Sequence, residues 1–289
     1  MLHSASRKAK IKTIWLTGLL MVMQVPLPAL GGELKPETKA AWDEYMKQAT
    51  AAMQARLQPS AKFLWVDEDP ERLQEVHEHG PDIAPMEKHI PKKVSSGLIH
   101  HWIGAGFLPG AKIDEIVLVL RDYDHYKDVY RPGVLDSHVR STDGNTDSFF
   151  LRFANRSVVS KTALDTEGQA TYIRLDEHRL YAYSNTTKIQ EVDKVGTPEE
   201  RLLPPDVGTG LIWRLSSFTR LEERDGGVYG ELEAIALSRD IPGALRPFVM
   251  PIVRRVSRDS LATSLRQTRV AIEGKMPHAA PNQALAVRR

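Results

Sequence analysis

Apolar and polar positions between residues 95 and 273 change pattern in a fixed order along the chain. An apolar run predicts a strand at Leu98–Phe107, which ends at the turn signal Pro109-Gly110. Two short helical stretches follow and stop at Pro132-Gly133. From there apolar and polar residues alternate, as in strands that bury one face. The predicted strands are 134–142, 148–155, 157–165, 170–176, 179–192, 210–223 and 228–239.

A helix closes this region, with Leu261, Leu265, Thr268 and Ile272 as its buried stripe. Ser257 is the predicted N-cap, because Pro251 limits how far upstream the helix extends. Antiparallel strands bury one face, and this helix is long enough to cover it. The chain is therefore predicted to be α+β, with a curved antiparallel sheet around a long C-terminal helix and an N-terminal helical extension.

Asp225-Gly226 predicts a two-residue hairpin turn that sets Arg220 opposite Glu231. This register gives the last hairpin an apolar face and a charged face. We expect the apolar face to pack on the helix and the charged face to be solvated. The alternative turns Arg214, Arg220, Glu231 and Glu233 inward as the floor of a polar pocket. The apolar face carries Leu211, Trp213, Leu215, Ser217, Thr219, Leu221, Leu232, Ala234 and Ala236, and the other face Arg214, Phe218, Arg220, Glu222, Tyr229, Glu231, Glu233 and Leu237.

Residues 1–32 have the features of a secretory signal peptide. Four basic residues precede the apolar run Thr13–Met23, and small residues follow at Gly31-Gly32. Prolines interrupt the run before it reaches the roughly 18 residues of a membrane span. We expect cleavage and a secreted or periplasmic protein; the alternative is an anchor that stays attached.

Two further segments flank the predicted domain 95–273. Residues 33–94 form an extension with a helix at 35–57, followed by a loop-rich connector. Residues 274–289 are predicted to be a disordered tail, because they are rich in proline and alanine and show no helical or strand-like spacing of apolar residues. The extension helix is a candidate for a peripheral membrane contact or a protein contact.

Charge and cysteine content exclude several functional classes. The chain has 289 residues, 39 basic and 37 acidic, and four of the basic residues but none of the acidic ones lie in residues 1–32. The mature chain is thus close to −2, which argues against nucleic acid as a partner. With no cysteine, disulfides, zinc-thiolate sites and cysteine nucleophiles are excluded.

Two segments resemble the START-like superfamily, which includes the polyketide cyclase/dehydrase (SRPBCC) group. Val119–Tyr126 and Val129–Val134 look like that family's exit from the second helix into the second strand. His101–Gly104 is similar to a segment of uncharacterised exported bacterial members. The resemblance covers about residues 95–273 and implies a helix-grip fold, with a ligand cavity between sheet and helix.

Candidate ligand-binding residues follow from the pattern and the resemblance together. Gly104, Gly106, Ala234 and Ala236 leave volume on the apolar face that a ligand could occupy. The candidates are His101, Trp102, Arg152, Trp213, Arg214, Ser217, Glu231 and Glu233. Arg152 is a candidate anchor for an anionic head group.

No pattern commits the chain to catalysis, a metal or a cofactor. His101 faces away from His100 and Trp102 on a strand, and no spacing supplies it with a polarising partner. Acidic residues and histidines between Glu75 and His89 lack the spacing of a metal-binding helix. We expect neither metal nor cofactor.

The sequence therefore favours an exported, monomeric START-like protein that binds a hydrophobic or amphipathic, lipid-like small molecule without chemistry. One alternative is a cyclase- or dehydratase-like enzyme that uses His101 with Glu231 or Glu233 as acid and base. A second alternative is a structural or interaction module without a ligand.

Overall fold

A computed structural model describes residues 32–87, 90–156 and 161–274, so the predicted signal peptide and nearly all of the tail lie outside the described residues. The helices are α1 (Pro36–Arg56), α2 (Pro70–Glu78), α3 (Ile113–Arg121), α4 (Tyr126–Val129) and α5 (Arg246–Glu273). The strands are β1 (Gly32–Glu33), β2 (Asp82–Pro85), β3 (Lys92–Val94), β4 (Gly97–Pro109), β5 (Val134–Asp143), β6 (Thr146–Arg156), β7 (Lys161–Arg174), β8 (Arg179–Asp193), β9 (Arg201–Leu202), β10 (Val207–Gly208), β11 (Arg214–Arg224) and β12 (Gly227–Arg239).

One antiparallel sheet dominates the described chain. Its strand order is β2-β4-β12-β11-β8-β7-β6-β5, with β3 beside β4 and β9 beside β8. The predicted α+β class and the long C-terminal helix are confirmed. The described parts of the runs predicted at 157–165 and 170–176 belong to a single strand, β7, because Gly168 sits at a bulge opposite β8 without ending the strand; positions 157–160 lie outside the described residues.

The register of the last hairpin is as predicted. Arg224 pairs with Gly227, and Arg220 pairs with Glu231. On its other edge β12 pairs with β4, and there Ala234 lies opposite Trp102 and Ile235 lies opposite His101. Because side chains alternate along a strand, Trp102 and His101 face opposite sides of the sheet.

Helix α5 covers the sheet face that carries Trp102. Its main sheet contacts are with β4, β2 and β12, and Leu261 and Leu265 lie over Gly104. The N-cap predicted at Ser257 is wrong, because the helix begins at Arg246 and runs through Pro251. Pro251 lies near the helix start with its ring exposed, so the helix tolerates the missing hydrogen bond.

The N-terminal extension covers the opposite face, which we call the charged face after its sequence pattern. Trp42, Tyr45, Ala49 and Met53 line one side of α1 and pack on the sheet, as does the segment Phe63–Val66. The expectation that this face is solvated is wrong. Apolar side chains of the extension have no other surface on which to bury, and they enclose the charges beneath them.

The connector at 67–95 contains more structure than its composition suggests. Asp69 caps α2 by accepting hydrogen bonds from the backbone N–H groups of Glu71 and Arg72. β2 and β3 then pair with β4 and extend the sheet. The predicted loop-rich connector therefore supplies edge strands. These strands have four and three residues, too few for alternation of apolar and polar positions to reveal them.

Candidate functional site

A chain of charged side chains lies buried beneath the N-terminal extension. Arg220, with no exposed surface, donates from Nε to Glu231 Oε2 at 3.0 Å and from Nη1 to Glu233 Oε2 at 3.0 Å. Glu231 Oε1 accepts the backbone N–H of Val66 at 3.0 Å. Arg220 Nη1 also contacts Met53 Sδ of α1 at 3.5 Å. Both carboxylates are thus tied to the sheet, and one is tied directly to the extension.

His101 and Tyr45 carry the same network towards the surface. His101 Nε2 lies 2.7 Å from Glu233 Oε1, and His101 Nδ1 lies 2.8 Å from the Tyr45 hydroxyl. Tyr45 in turn donates to Glu87 Oε1 at 2.9 Å. A hydroxyl has one proton, so Tyr45 accepts from Nδ1 when it donates to Glu87. Both ring nitrogens of His101 therefore have a hydrogen-bond partner, the Tyr45 hydroxyl on one side and Glu233 on the other.

Burial and neighbouring charges move the two glutamates in opposite directions. Burial raises the pKa of Glu231, and the charge of Arg220 only partly offsets it. Burial also acts on Glu233, but hydrogen bonds from His101 and Arg220 outweigh it and lower the pKa of Glu233. Arg220 bridges the two buried carboxylates, and this attraction offsets part of the cost of removing them from water.

This network joins the extension to the sheet and lies away from the space between the sheet and α5. His101, Glu231 and Glu233 are at most 6% exposed, and they lie on the sheet face away from α5. General acid–base catalysis needs the group within hydrogen-bond reach of the substrate. A ligand between the sheet and α5 is separated from these groups by the sheet itself.

The face towards α5 is incompletely covered. One row of side chains across the strands runs Trp102, Ala234, Ser217, Ser184 and Ala170. Ser184 and Ser217 are half-buried, and their hydroxyls make no hydrogen bond with other described residues.

The neighbouring row runs Gly104, Leu232, Thr219, Ala182 and Tyr172. Thr219 and Leu232 are also half-buried. Because α5 lies mainly over β4 and β2, the middle of the sheet at β11 and β8 keeps small, hydroxyl-bearing side chains accessible. We call the half-buried residues Ser184, Leu215, Ser217, Thr219, Leu232 and Ala234 the grip face.

The volume expected at Gly104 is already filled. A Cβ at this position would lie 2.8 Å from Leu265 Cδ1 and 3.0 Å from Ile83 Cδ1. Trp102, 9% exposed, packs with Leu261 and Ile90 in the same cluster. At Gly106, in contrast, the nearest atom to an added Cβ is Pro81 Cβ at 3.9 Å. Space remains beside Gly106 and towards the middle of the sheet, and none at Gly104.

The other candidate residues lie apart from the grip face. Arg152 makes a bidentate pair with Asp165, at 2.7 and 2.8 Å, which fills its planar donor fork. Arg214 pairs with Asp206 at 2.5 and 3.1 Å. Trp213 precedes β11 and packs in the cluster under the extension, although the pattern assigned it to the apolar face. Of the eight candidates, Trp102 and Ser217 lie on the α5 side, and His101, Glu231 and Glu233 meet on the other.

Large apolar residues on the charged face already indicate in the sequence that this face is covered. Phe218, Tyr229, Ile235 and Leu237 alternate with the charges on the charged face, and all are buried. A solvated face does not require four large apolar residues. Together with the apolar run Phe63–Val66, they indicate a second covering layer.

No family model matches the sequence, and no curated protein matches it either. Solved structures with a similar arrangement include a STAR-related lipid transfer protein from Xanthomonas axonopodis, at 16% identity over 67% of this chain and 99% of that one, with a TM-score of 0.44. Human STARD10 is 9% identical over 76% and 84% of the two chains, with a TM-score of 0.43. The Zhui aromatase/cyclase from Streptomyces is 13% identical over 60% and 96%, with a TM-score of 0.38.

The described chain has a helix-grip arrangement, in which an antiparallel sheet is closed by a long C-terminal helix. The strand order, the two short helices after β4 and the closing helix carry this assignment. An arrangement of this kind does not by itself select a function. No helix in the described part of the chain is long and apolar enough to cross a bilayer.

Proposed function

We propose that this protein binds a hydrophobic or amphipathic small molecule on the grip face, between the middle of the sheet and α5. The observation that carries the proposal is the unequal cover of the two sheet faces. On β11 and β12 the charged face buries Phe218, Arg220, Tyr229 and Glu231, whereas the grip face leaves its side chains half-buried. A partly apolar surface left open beside a long helix is suited to a ligand.

The chemistry of the grip face defines the ligand class. Leu215, Leu232 and Ala234 supply apolar contact, and Ser184, Ser217 and Thr219 supply hydroxyls without partners among the described residues. No charged side chain belongs to this surface. The proposed ligand is therefore mostly apolar with one or a few oxygen groups, such as a fatty acyl or polycyclic molecule, and no residue of the surface supplies acid–base chemistry.

Extraction and binding measurements test this proposal. The protein, purified without detergent, is extracted with organic solvent, and the extract is analysed by mass spectrometry. The same protein is titrated with a fluorescent fatty acid. We expect a bound lipid-like species or saturable binding of the probe.

Matched substitutions locate the binding surface. Ser217→Phe places a large side chain on the grip face and should weaken probe binding at least about tenfold by steric exclusion. Gln169→Phe adds the same ring at an exposed position of β7 on the opposite face and should leave binding unchanged. Equal effects of the two substitutions, or no binding by the unmodified protein, would contradict the proposal.

We also propose that the chain is exported, on the evidence of the basic and apolar pattern in residues 1–32. Fusion of residues 1–40 to a reporter enzyme that is active only outside the bacterial cytoplasm tests this. Activity that disappears when Leu19 and Leu20 are replaced by arginine supports export, and an inactive fusion contradicts it.

A further inference from the structure

The first turns of α5 expose large apolar side chains. Phe248 is 75% exposed and Ile252 is 44% exposed, and they lie one turn apart on the outward side of the helix. Val249, between them in sequence, is buried against Leu98 and Ile241. The helix therefore has a packed side here and, opposite it, an apolar side that no other described element covers.

The same part of α5 is basic. Arg246–Arg258 contains four arginines and no acidic residue, and of these Arg246 pairs with Asp240 at 2.7 Å and Arg255 with Asp259 at 3.6 Å, just outside this stretch. Arg254 Nε is held by the Ile90 carbonyl at 2.6 Å, but Arg255 and Arg258 are exposed. Arg255 continues the outward stripe begun by Phe248 and Ile252. Apolar residues flanked by arginines on one helix face are typical of segments that lie on anionic lipid.

The N-terminal end of the described chain lies at this same end of the molecule. Gly32 and Arg246 line one groove of about 620 Å³, together with Lys35, Lys93 and Arg239. The apolar segment Thr13–Met23 precedes Gly32 in the sequence. Eight residues separate Met23 from Gly32, so a membrane that held this segment would lie within about 30 Å of Gly32.

We infer that the outward face of the first turns of α5, made of Phe248, Ile252, Arg255 and Arg258, is a docking surface for an anionic lipid bilayer. The two apolar side chains enter the interface and the arginines contact lipid phosphates. The inference does not depend on a ligand at the grip face. It assigns the membrane contact to α5, since the apolar side chains of α1 are already buried on the sheet.

A local probe in the full chain tests the docking surface. Because the chain has no cysteine, Ile252→Cys creates a single site for an environment-sensitive fluorophore. Labelled protein is mixed with vesicles of phosphatidylcholine, with or without phosphatidylglycerol. We expect a blue-shifted, brighter emission on the vesicles that contain phosphatidylglycerol, and a much smaller change on phosphatidylcholine alone.

Matched variants separate docking from attachment through residues 1–31. Leu175→Cys places the label at the turn between β7 and β8, at the opposite end of the sheet, and its emission should not change. Arg255→Glu with Arg258→Glu should weaken the response of the label at position 252 at least about tenfold, since each basic residue near an anionic surface contributes about fivefold in affinity. Phe248→Ser should weaken it further.

Four outcomes would overturn the inference. Labels at 252 and 175 could respond alike, or the label at 252 could stay silent while the chain sediments with the vesicles. The emission could change with protein concentration in the absence of lipid, which would indicate a second copy on this surface. A variant that ends at Gly274 could alter the emission without lipid, which would indicate that residues 275–289 cover the helix.

Discussion

Arg220 is the residue on which the charged face depends. It has no exposed surface, and it contacts two glutamates that are themselves buried. Ions lose several kcal/mol on leaving water, and their mutual attraction must compensate for that loss. Removing this central cation would leave two buried carboxylates without their arginine partner, and the contact with His101 reaches only Glu233.

Arg220→Met should therefore lower the free energy of unfolding by about 3–5 kcal/mol. Urea unfolding followed by circular dichroism measures this loss. Arg255→Met is the matched control, because its ion pair with Asp259 is exposed and should contribute less than about 1 kcal/mol. A loss as small as that of the control would show that the buried ion pairs are dispensable.

His100 makes stability depend on pH. Burial lowers the pKa of His100 to about 4, and its Nε2 lies 2.8 Å from Ser238 Oγ. The unfolded chain takes up a proton near pH 6.5, whereas the folded chain does so only near pH 4. The contribution of neutral His100 to the free energy of unfolding is thus fully present above pH 6.5 and is lost progressively as the pH falls towards 4.

His100→Gln should remove that dependence. Between pH 7 and pH 4.5 the unmodified protein should lose about 2–3 kcal/mol more than the variant, from the pKa difference and 1.36 kcal/mol per unit. Parallel urea titrations at several pH values measure the difference. Curves that fall in parallel with pH would contradict the assignment.

The sequence predicted that Arg220 and Glu231 lie opposite each other, but it did not predict that both side chains are buried. The turn at Asp225-Gly226 fixed the pairing of Arg220 with Glu231, because alternation and turn length determine register locally. Their burial depends on α1 and Phe63–Val66, more than 150 residues away. Contacts over such separations leave no periodic trace in a single sequence.

At the scale of elements, α1 and α5 cover opposite faces of one sheet in different ways. Both were predicted from helical spacing, although the start of α5 was placed too late at Ser257. α1 seals its face, and α5 leaves part of its face accessible. The difference follows from position, since α5 lies mainly over β4 and β2.

Ala49→Glu should detach α1 from the sheet. Ala49 is buried beside Tyr45 and Met53, and an unpaired carboxylate there should cost at least about 3 kcal/mol. Hydrogen exchange should rise in Phe63–Val66, which packs in the same cluster. Ala52→Glu, on the exposed side of the same helix, should be close to neutral. Unchanged exchange at 63–66 in the Ala49 variant would count against a single sealed layer.

Gly104→Val tests the packing of α5. The added side chain would overlap Leu265 and Ile83 and should cost about 1–3 kcal/mol. Leu265→Ala in the same chain should recover part of the loss by making room. Gly243→Ala, with no atom within 4 Å of the added Cβ, is the control. Thermal unfolding is measured for the unmodified protein, the two single variants, the double variant and the control, and full additivity of the two substitutions would exclude the contact.

At the scale of the molecule, one sheet is shared by two covering layers. Trp42, Trp65 and Trp213 belong to the layer under the extension, and Trp102 belongs to the layer under α5. Since β4, β11 and β12 contribute side chains to both layers, neither layer can separate without exposing the other side of the same strands.

We therefore expect a single unfolding transition for the described chain. Variants that retain tryptophan only in one layer or only in the other should give coincident urea curves, which should also coincide with far-ultraviolet circular dichroism. A layer under the extension that melts first, at lower urea, would show that the extension is an independent unit.

The hydrogen bond from Val66 to Glu231 bears on the design of shorter fragments of this protein. A fragment that starts at residue 95, the predicted domain boundary, would lack β2, β3 and the side chains of α1 and Phe63–Val66 that cover Arg220. The surface exposed in this way would combine buried ion pairs that have lost their cover with large aromatic side chains, which favours aggregation. The shortest piece worth expressing runs from Gly32 to Gly274.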